Sequence, residues 1–120
     1  MEIKYRINIA KDFSPYPAGR YRSEGETSGE AFLVDHLMGK LMGAIIGNCL
    51  LEIDLNGMNG YPSSFISGSF GKITYELGKT LGVKKASELI KKHIILKCED
   101  SAARAKAIED EIDNPITKTK

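Results

Sequence analysis

The chain opens on strict alternation. In EIKYRINIA, Ile3, Tyr5, Ile7 and Ile9 fall on one face and Glu2, Lys4, Arg6 and Asn8 on the other. Period two with one polar face predicts a half-exposed strand near a sheet edge. The next stretch, KDFSPYPAGRYRSEGETSGE, has no period and is rich in Pro, Gly and Ser. It reads as a loop, long for a compact domain, or as an added hairpin. The pattern then turns helical. Thr27 and Glu30 form a capping box, Leu33, Val34, Leu37, Met38, Leu41 and Met42 make an apolar face, and Gly47-Asn48 stops the helix. CLLEIDL is apolar on both faces except at Glu52 and Asp54, the pattern of a central strand.

Further on, Ile66, Phe70, Ile73 and Leu77 recur at helical spacing, ending near Gly78 and Gly82. Gly68 and Gly71 inside that helix cost about 1 kcal/mol each relative to Ala, which points to close packing against the sheet. KKASELIKKH is a short basic amphipathic helix, IILKC another strand, and DSAARAKAIEDEI a last helix capped by Asp100 or Ser101. DNPITKTK reads as a frayed tail. Ile53 and Phe70 belong to the most apolar strand and to the helical stripe, and are expected in the core. The order β-α-β-α-α-β-α, with a strand pair added by the long loop, predicts an α/β sandwich. Its sheet is mixed and four- to five-stranded, with helices packed mainly on one face. One domain over 1–113 and a flexible tail over 114–120 are expected.

Composition narrows the function classes. The 120 residues suit one domain, and 42% hydrophobic with 28% charged residues is ordinary for a globular protein. A net charge of +1 with interspersed signs lacks the basic stripe of a nucleic-acid protein. No apolar run approaches the roughly 18 residues of a membrane helix, and no signal-peptide pattern opens the chain. A cytoplasmic protein with neither nucleic-acid nor membrane partner is the expectation. Cys49 and Cys98 lie in apolar runs and read as buried free thiols, with a single disulfide as the alternative.

The chemistry concentrates between Asp54 and Lys72, in DLNGMNGYPSSFISGSFGK. A phosphate-binding GxxxxGK[ST] loop ending at Gly71-Lys72 would need glycine at Ile66 and a hydroxyl at Ile73, and Lys72 lies well inside the helix. A GxSxG elbow is not matched, because Pro62 and Phe65 flank the serine pair. His36, beside Asp35, and His93, closing a basic helix, read as surface or boundary residues rather than bases. Two cysteines and two histidines at wide spacing make no ligand cluster, so neither a metal nor a cofactor is expected. Pro62 introduces the helix and Ser63 or Ser64 caps it. The same helix N-terminus would stabilise a phosphate placed on either serine. In an extended loop, Arg20 and Arg22 project to one side with Tyr21 between them, suited to acidic groups or a phosphate; the alternative is a solvated spacer.

These residues resemble a known family. LLEIDLNGMNGYPSSFISGSFGKI is similar to the core of STAS domains, the anti-sigma-factor-antagonist fold, in which an apolar strand ends in D-L-x-G-V and D-S-S/T-G-L opens a helix. Leu51 to Leu55 match the strand, Asp54 its acidic end, Gly57 the turn glycine, Met58 the apolar turn position and Ser63-Ser64 the hydroxyl pair. With GRYRSEGETSGEAF before the first helix, residues 1 to 100 resemble a small bacterial STAS-like domain family of unknown function. Pro62 stands where the classical members carry Asp, and Phe65 replaces their glycine. The resemblance implies a non-catalytic regulatory module that binds a protein partner, either an ATPase-type kinase or a component of a bacterial defence or signalling system. It implies a phosphoacceptor among Ser63 and Ser64, carried most directly to Ser63. Asp54, Gly57, Tyr61, Arg20, Tyr21 and Arg22 are the expected partner-binding residues, on a monomer or homodimer. Two rivals stand beside it: a nucleotide-binding sensor holding phosphates through Arg20, Arg22 and the helix N-terminus, and a small enzyme with residues 13–27 as a lid.

Overall fold

The computed structural model of the chain describes residues 1–60, 62–99 and 101–115. The alternating segment forms β1 (Ile3–Asn8), CLLEIDL forms β2 (Leu50–Asp54) and IILKC forms β3 (Ile94–Lys97). All pairings are parallel, in the order β1-β2-β3, so β1 lies at an edge and β2 at the centre, as their patterns predict. Register places Ile7 beside Ile53 and Ile53 beside Leu96, an apolar row across the sheet.

Between β1 and β2 runs helix α1. It begins at Gly29–Phe32, widens into a π-helical turn at Leu33–Leu37 and continues without a break over Met38–Gly47. Its N-cap is Ser28, whose hydroxyl accepts the Ala31 N–H at 3.1 Å, one residue after the Thr27 expected from the capping pattern. Asn48 stops it in the left-handed conformation, φ +52°. Helix α2 is also continuous, through Ser63–Ile66, a π-helical turn at Ser67–Gly71, and Lys72–Leu81. Gly82 separates it from α3 (Val83–Lys92), and α4 (Ala102–Asp113) follows β3. Ser101 is the N-cap of α4 but makes no side-chain bond there, and Asp100 lies outside the described residues.

The helices cover one face of the sheet. Ile7, Leu51, Ile53 and Leu55 point into that layer and are at most 1% exposed, joined there by Phe32, Phe65, Phe70, Ile73, Ile108 and Ile112. Ile53 and Phe70 are thus core residues, as expected. The other face carries Lys4, Arg6, Glu52, Asp54, Ile95 and Lys97. All-parallel sheets are normally covered on both sides, and the period-two polarity of these strands explains how this one leaves a face wet.

The sheet is three-stranded and parallel, which corrects the expectation of a mixed sheet with four or five strands. The extra strand pair would have to come from the long loop, and the loop's backbone bonds go elsewhere. The Asn8 side chain accepts the Lys11 N–H at 2.9 Å and Asp12 accepts the Asn8 N–H at 2.8 Å, so Ile9–Phe13 winds into one π-helical turn. Pro15 and Pro17 supply no donors. Beyond them, the Gly19 and Arg20 carbonyls accept the first N–H groups of α1, from Gly29 and Glu30, each at 2.9 Å. A segment bound to a helix terminus leaves no ladder for a hairpin.

The two histidines part company. His93 is 3% exposed, with Nδ1–H donating to the Cys49 carbonyl at 2.9 Å, so it is a core group rather than a boundary one. His36 is half-buried and packs on Phe13 and Phe32. Cys49 is buried, Cys98 half-buried, and both are free thiols. Of the expected tail, Asn114 donates its N–H to Asp110 at 2.9 Å and Pro115 is buried, while 116–120 lie outside the described residues. Among the described residues no helix is long and apolar enough to cross a membrane.

Candidate functional site

The chain leaves β2 through an Asx turn. Asp54 Oδ1 accepts the Asn56 N–H at 2.9 Å, Asn56 Oδ1 accepts the Glu99 N–H at 2.8 Å, and Gly57 adopts φ +87°. Met58 is then buried, and the Asn59 N–H donates to the Pro15 carbonyl at 2.8 Å, stitching the turn to the long loop. Asp54 and Gly57, expected at the partner surface, therefore shape the turn. Tyr61, expected there too, lies outside the described residues.

Helix α2 starts without a side-chain cap. Pro62 occupies the N-cap position, so Ser63 and Ser64 are the first two helical residues rather than capping residues, which corrects that expectation. The Phe65 and Ile66 N–H groups reach the Pro62 carbonyl at 3.0 and 3.2 Å. Among the described residues no hydrogen bond involves the hydroxyl or N–H of Ser63 or the N–H of Ser64. Ser63 is exposed and Ser64 half-buried, whereas Ser67 and Ser69 are buried and hydrogen-bonded inside the helix layer.

The long loop delivers Arg20 to this helix. Arg20 Nε–H donates to Ser67 Oγ at 2.9 Å, and Ser67 donates in turn to the Ser64 carbonyl at 3.3 Å. Glu24 holds the loop's shape, its Oε1 accepting the Arg20 and Tyr21 N–H groups at 2.7 and 3.0 Å. Those two bonds, Tyr21's the larger influence, keep the Glu24 carboxyl below the usual carboxylate range. Arg22 goes another way. It sits in a tight 3₁₀ turn, Arg22–Glu24, and its guanidinium pairs with Asp35 of α1 at 2.6 Å. Tyr21 between them is extended, at φ −115° and ψ 152°, yet the two arginines are not one clamp, because Arg20 is held by Ser67 of α2 and Arg22 by Asp35 of α1.

Between loop, α1 and α2 lies a cleft of about 580 Å³. Leu33, Val34 and Met38 form its apolar wall, Arg20 and Tyr21 its loop side, and Lys72 and Glu76 its far end. Lys72 and Lys79 both pair with Glu76, at 3.0 and 3.2 Å, and depress its carboxyl, Lys72 the more strongly. Of the sequence-selected residues, Arg20 and Tyr21 line the cleft and Arg20 bonds Ser67, one turn after Ser63 on α2, whereas Ser63 and Ser64 are not in that lining and Arg22, Asp54 and Gly57 lie elsewhere. Ser67, Glu24 and Glu76 were missed. Ser67 lies one helical turn after Ser63 in SSFIS, which was the available signal.

Comparison with family models, with curated proteins and with solved structures returns no match.

Proposed function

We propose that this chain is a non-catalytic regulatory module that binds a protein partner across the α1–α2 cleft and is switched by phosphorylation of Ser63. The STAS-like resemblance of the sequence favours an ATPase-type kinase as the partner class. The observation that carries the reading is the first turn of α2, where an exposed serine, its hydroxyl and N–H without a hydrogen bond among the described residues, stands on an uncapped helix N-terminus. Ser67 follows four residues later on the same side, and it holds Arg20. A phosphate on Ser63 would gain the open N–H groups, the helix dipole and the terminal nitrogens of Arg20. It would also bring about two negative charges to α2 one turn before the Ser67–Arg20 contact, at the Arg20 end of the cleft that the partner approaches.

Affinity capture from the native host with wild type, Ser63→Ala and Ser63→Asp tests this. Aspartate keeps the helix start favourable, so both variants are expected to fold. The two are expected to differ in recovery of the partner by more than about tenfold, close to 1.4 kcal/mol. Equal recovery by all three folded proteins would remove the switch.

A further inference from the structure

The two edges of the sheet are treated differently. At β1, two outward groups along its second half are occupied: Lys40 Nζ donates to the Arg6 carbonyl at 2.7 Å and Asp12 accepts the Asn8 N–H at 2.8 Å. An irregularity between Ile3 and Tyr5 further breaks that edge. These are the devices by which proteins keep an edge strand from pairing. At β3, the Leu51 N–H bonds the His93 carbonyl and the Leu55 N–H bonds the Lys97 carbonyl, each at 2.8 Å. Alternate residues of a parallel ladder face the neighbour, so Ile94 and Leu96 turn their N–H and C=O groups outward. Among the described residues no hydrogen bond reaches them. Beside them Ile95 is 37% exposed on the open face of the sheet.

We propose that β3 pairs antiparallel with β3 of a second copy of this chain, joining two three-stranded sheets through a two-fold axis at Ile95. The edge is self-complementary in that arrangement. Ile94 of each copy meets Leu96 of the other, and the pair exchanges both backbone hydrogen bonds. Ile95 meets itself in the close, non-hydrogen-bonded position, removing its exposed side chain from water. Antiparallel pairing also sets the two Lys97 side chains at opposite ends of the paired strands, whereas parallel pairing in register would place them side by side. A short strand pair buries little area, which places the dimer in the weak, concentration-dependent class.

Sedimentation equilibrium of the full chain over a concentration series tests the proposal, together with two variants at the axis. Wild type is expected to dimerise reversibly, and Ile95→Lys to weaken the dimer by about tenfold or more, since it sets two ammonium groups face to face. Circular dichroism of Ile95→Lys checks that it folds. Ile95→Cys brings two thiols together across a non-hydrogen-bonded pair, so it is expected to form an intermolecular disulfide that wild type, with only Cys49 and Cys98, does not form. If Ile95→Lys does not fold, this cross-link decides. A monomer at every concentration, a dimer indifferent to Ile95→Lys, or an Ile95→Cys protein that cross-links no faster than Ser23→Cys would each overturn it. So would a monomer whose β3 edge takes up a foreign strand peptide.

Discussion

Asp113 shows how much a single carboxylate can depend on packing that no local pattern encodes. It closes α4, its Oδ1 accepts the Ser87 hydroxyl of α3 in a short contact and lies 2.8 Å from Lys91 Nζ, and its Oδ2 accepts from the same ammonium at 3.0 Å. The Lys91 bond first and the Ser87 bond second hold the Asp113 carboxyl below its ordinary value of 3.8, and the same contact raises the Lys91 ammonium above 10.5. A carboxyl depressed in the folded state takes up protons more readily when unfolded. Its contribution is therefore full above the ordinary carboxylate range and is lost as pH falls through the lowered value. For Lys91 the loss comes at the opposite end, as pH rises past its raised value. Both side chains are 38% exposed, so solvent screening limits the pair to about 1 kcal/mol or less. In urea titrations, Asp113→Asn is expected to be slightly less stable at neutral pH and to show a shallower acid limb. Superimposable acid limbs would mean the pair contributes nothing. KKASELIKKH does show a basic amphipathic helix, but which acid it meets was fixed only when α4 docked. His93 misleads for the same reason: the residues before it are lysines, and the group that holds its buried ring is the Cys49 carbonyl, 44 residues away in sequence.

Elements were more legible than contacts. Alternation in β1, the apolar run of β2 and the helical stripe of α2 each rest on a few residues of one period, and each element forms where that period runs. Gly68 and Gly71 were also readable as packing sites, though not against the sheet. A Cβ on Gly68 would stand 2.6 Å from the Arg20 carbonyl, and one on Gly71 would collide with the Glu111 side chain of α4. Gly29 of α1 meets the Phe65 carbonyl and the Gly68 backbone in the same way. Small residues thus let loop, α1 and α2 approach at the cleft. Gly68→Ala should gain about 1 kcal/mol in helix propensity, but the Arg20 carbonyl that it strikes also caps Glu30 of α1. Overpacking against backbone is expected to win, for a net loss of about 1–3 kcal/mol in denaturant melts, with faster proteolysis in the loop. A stabilised Gly68→Ala protein would show that the loop yields freely. The loop itself was the illegible element. Its conformation depends on bonds such as Gly19 to Gly29 and Pro15 to Asn59, made by backbone groups that every sequence possesses.

At the scale of the molecule, the sheet decides what the cleft can hold. A radius of gyration of 13.0 Å is that of one compact domain. Within it the strands run in order β1-β2-β3, so the chain advances steadily across the sheet and never reverses. Open parallel sheets bind nucleotides in a crevice at the carboxyl ends of their strands, where the strand order does reverse. Among the described residues this sheet has no such point. The turn after β2 is occupied by Asp54 and Asn56 bonding to backbone, and α2 begins with Pro62 and two serines in place of a glycine cradle. The second arginine of a phosphate clamp is also missing, since Arg22 is committed to Asp35. What remains, Arg20 on Ser67 beside an apolar wall, suits one phosphate or carboxylate on a protein surface better than a triphosphate chain. Calorimetric titration with ATP and GTP is therefore expected to give no saturable heat, with any affinity weaker than about millimolar, or 4 kcal/mol. Micromolar binding lost in Arg20→Ala would instead make the cleft a nucleotide sensor, and the partner-docking reading would have to give way to it.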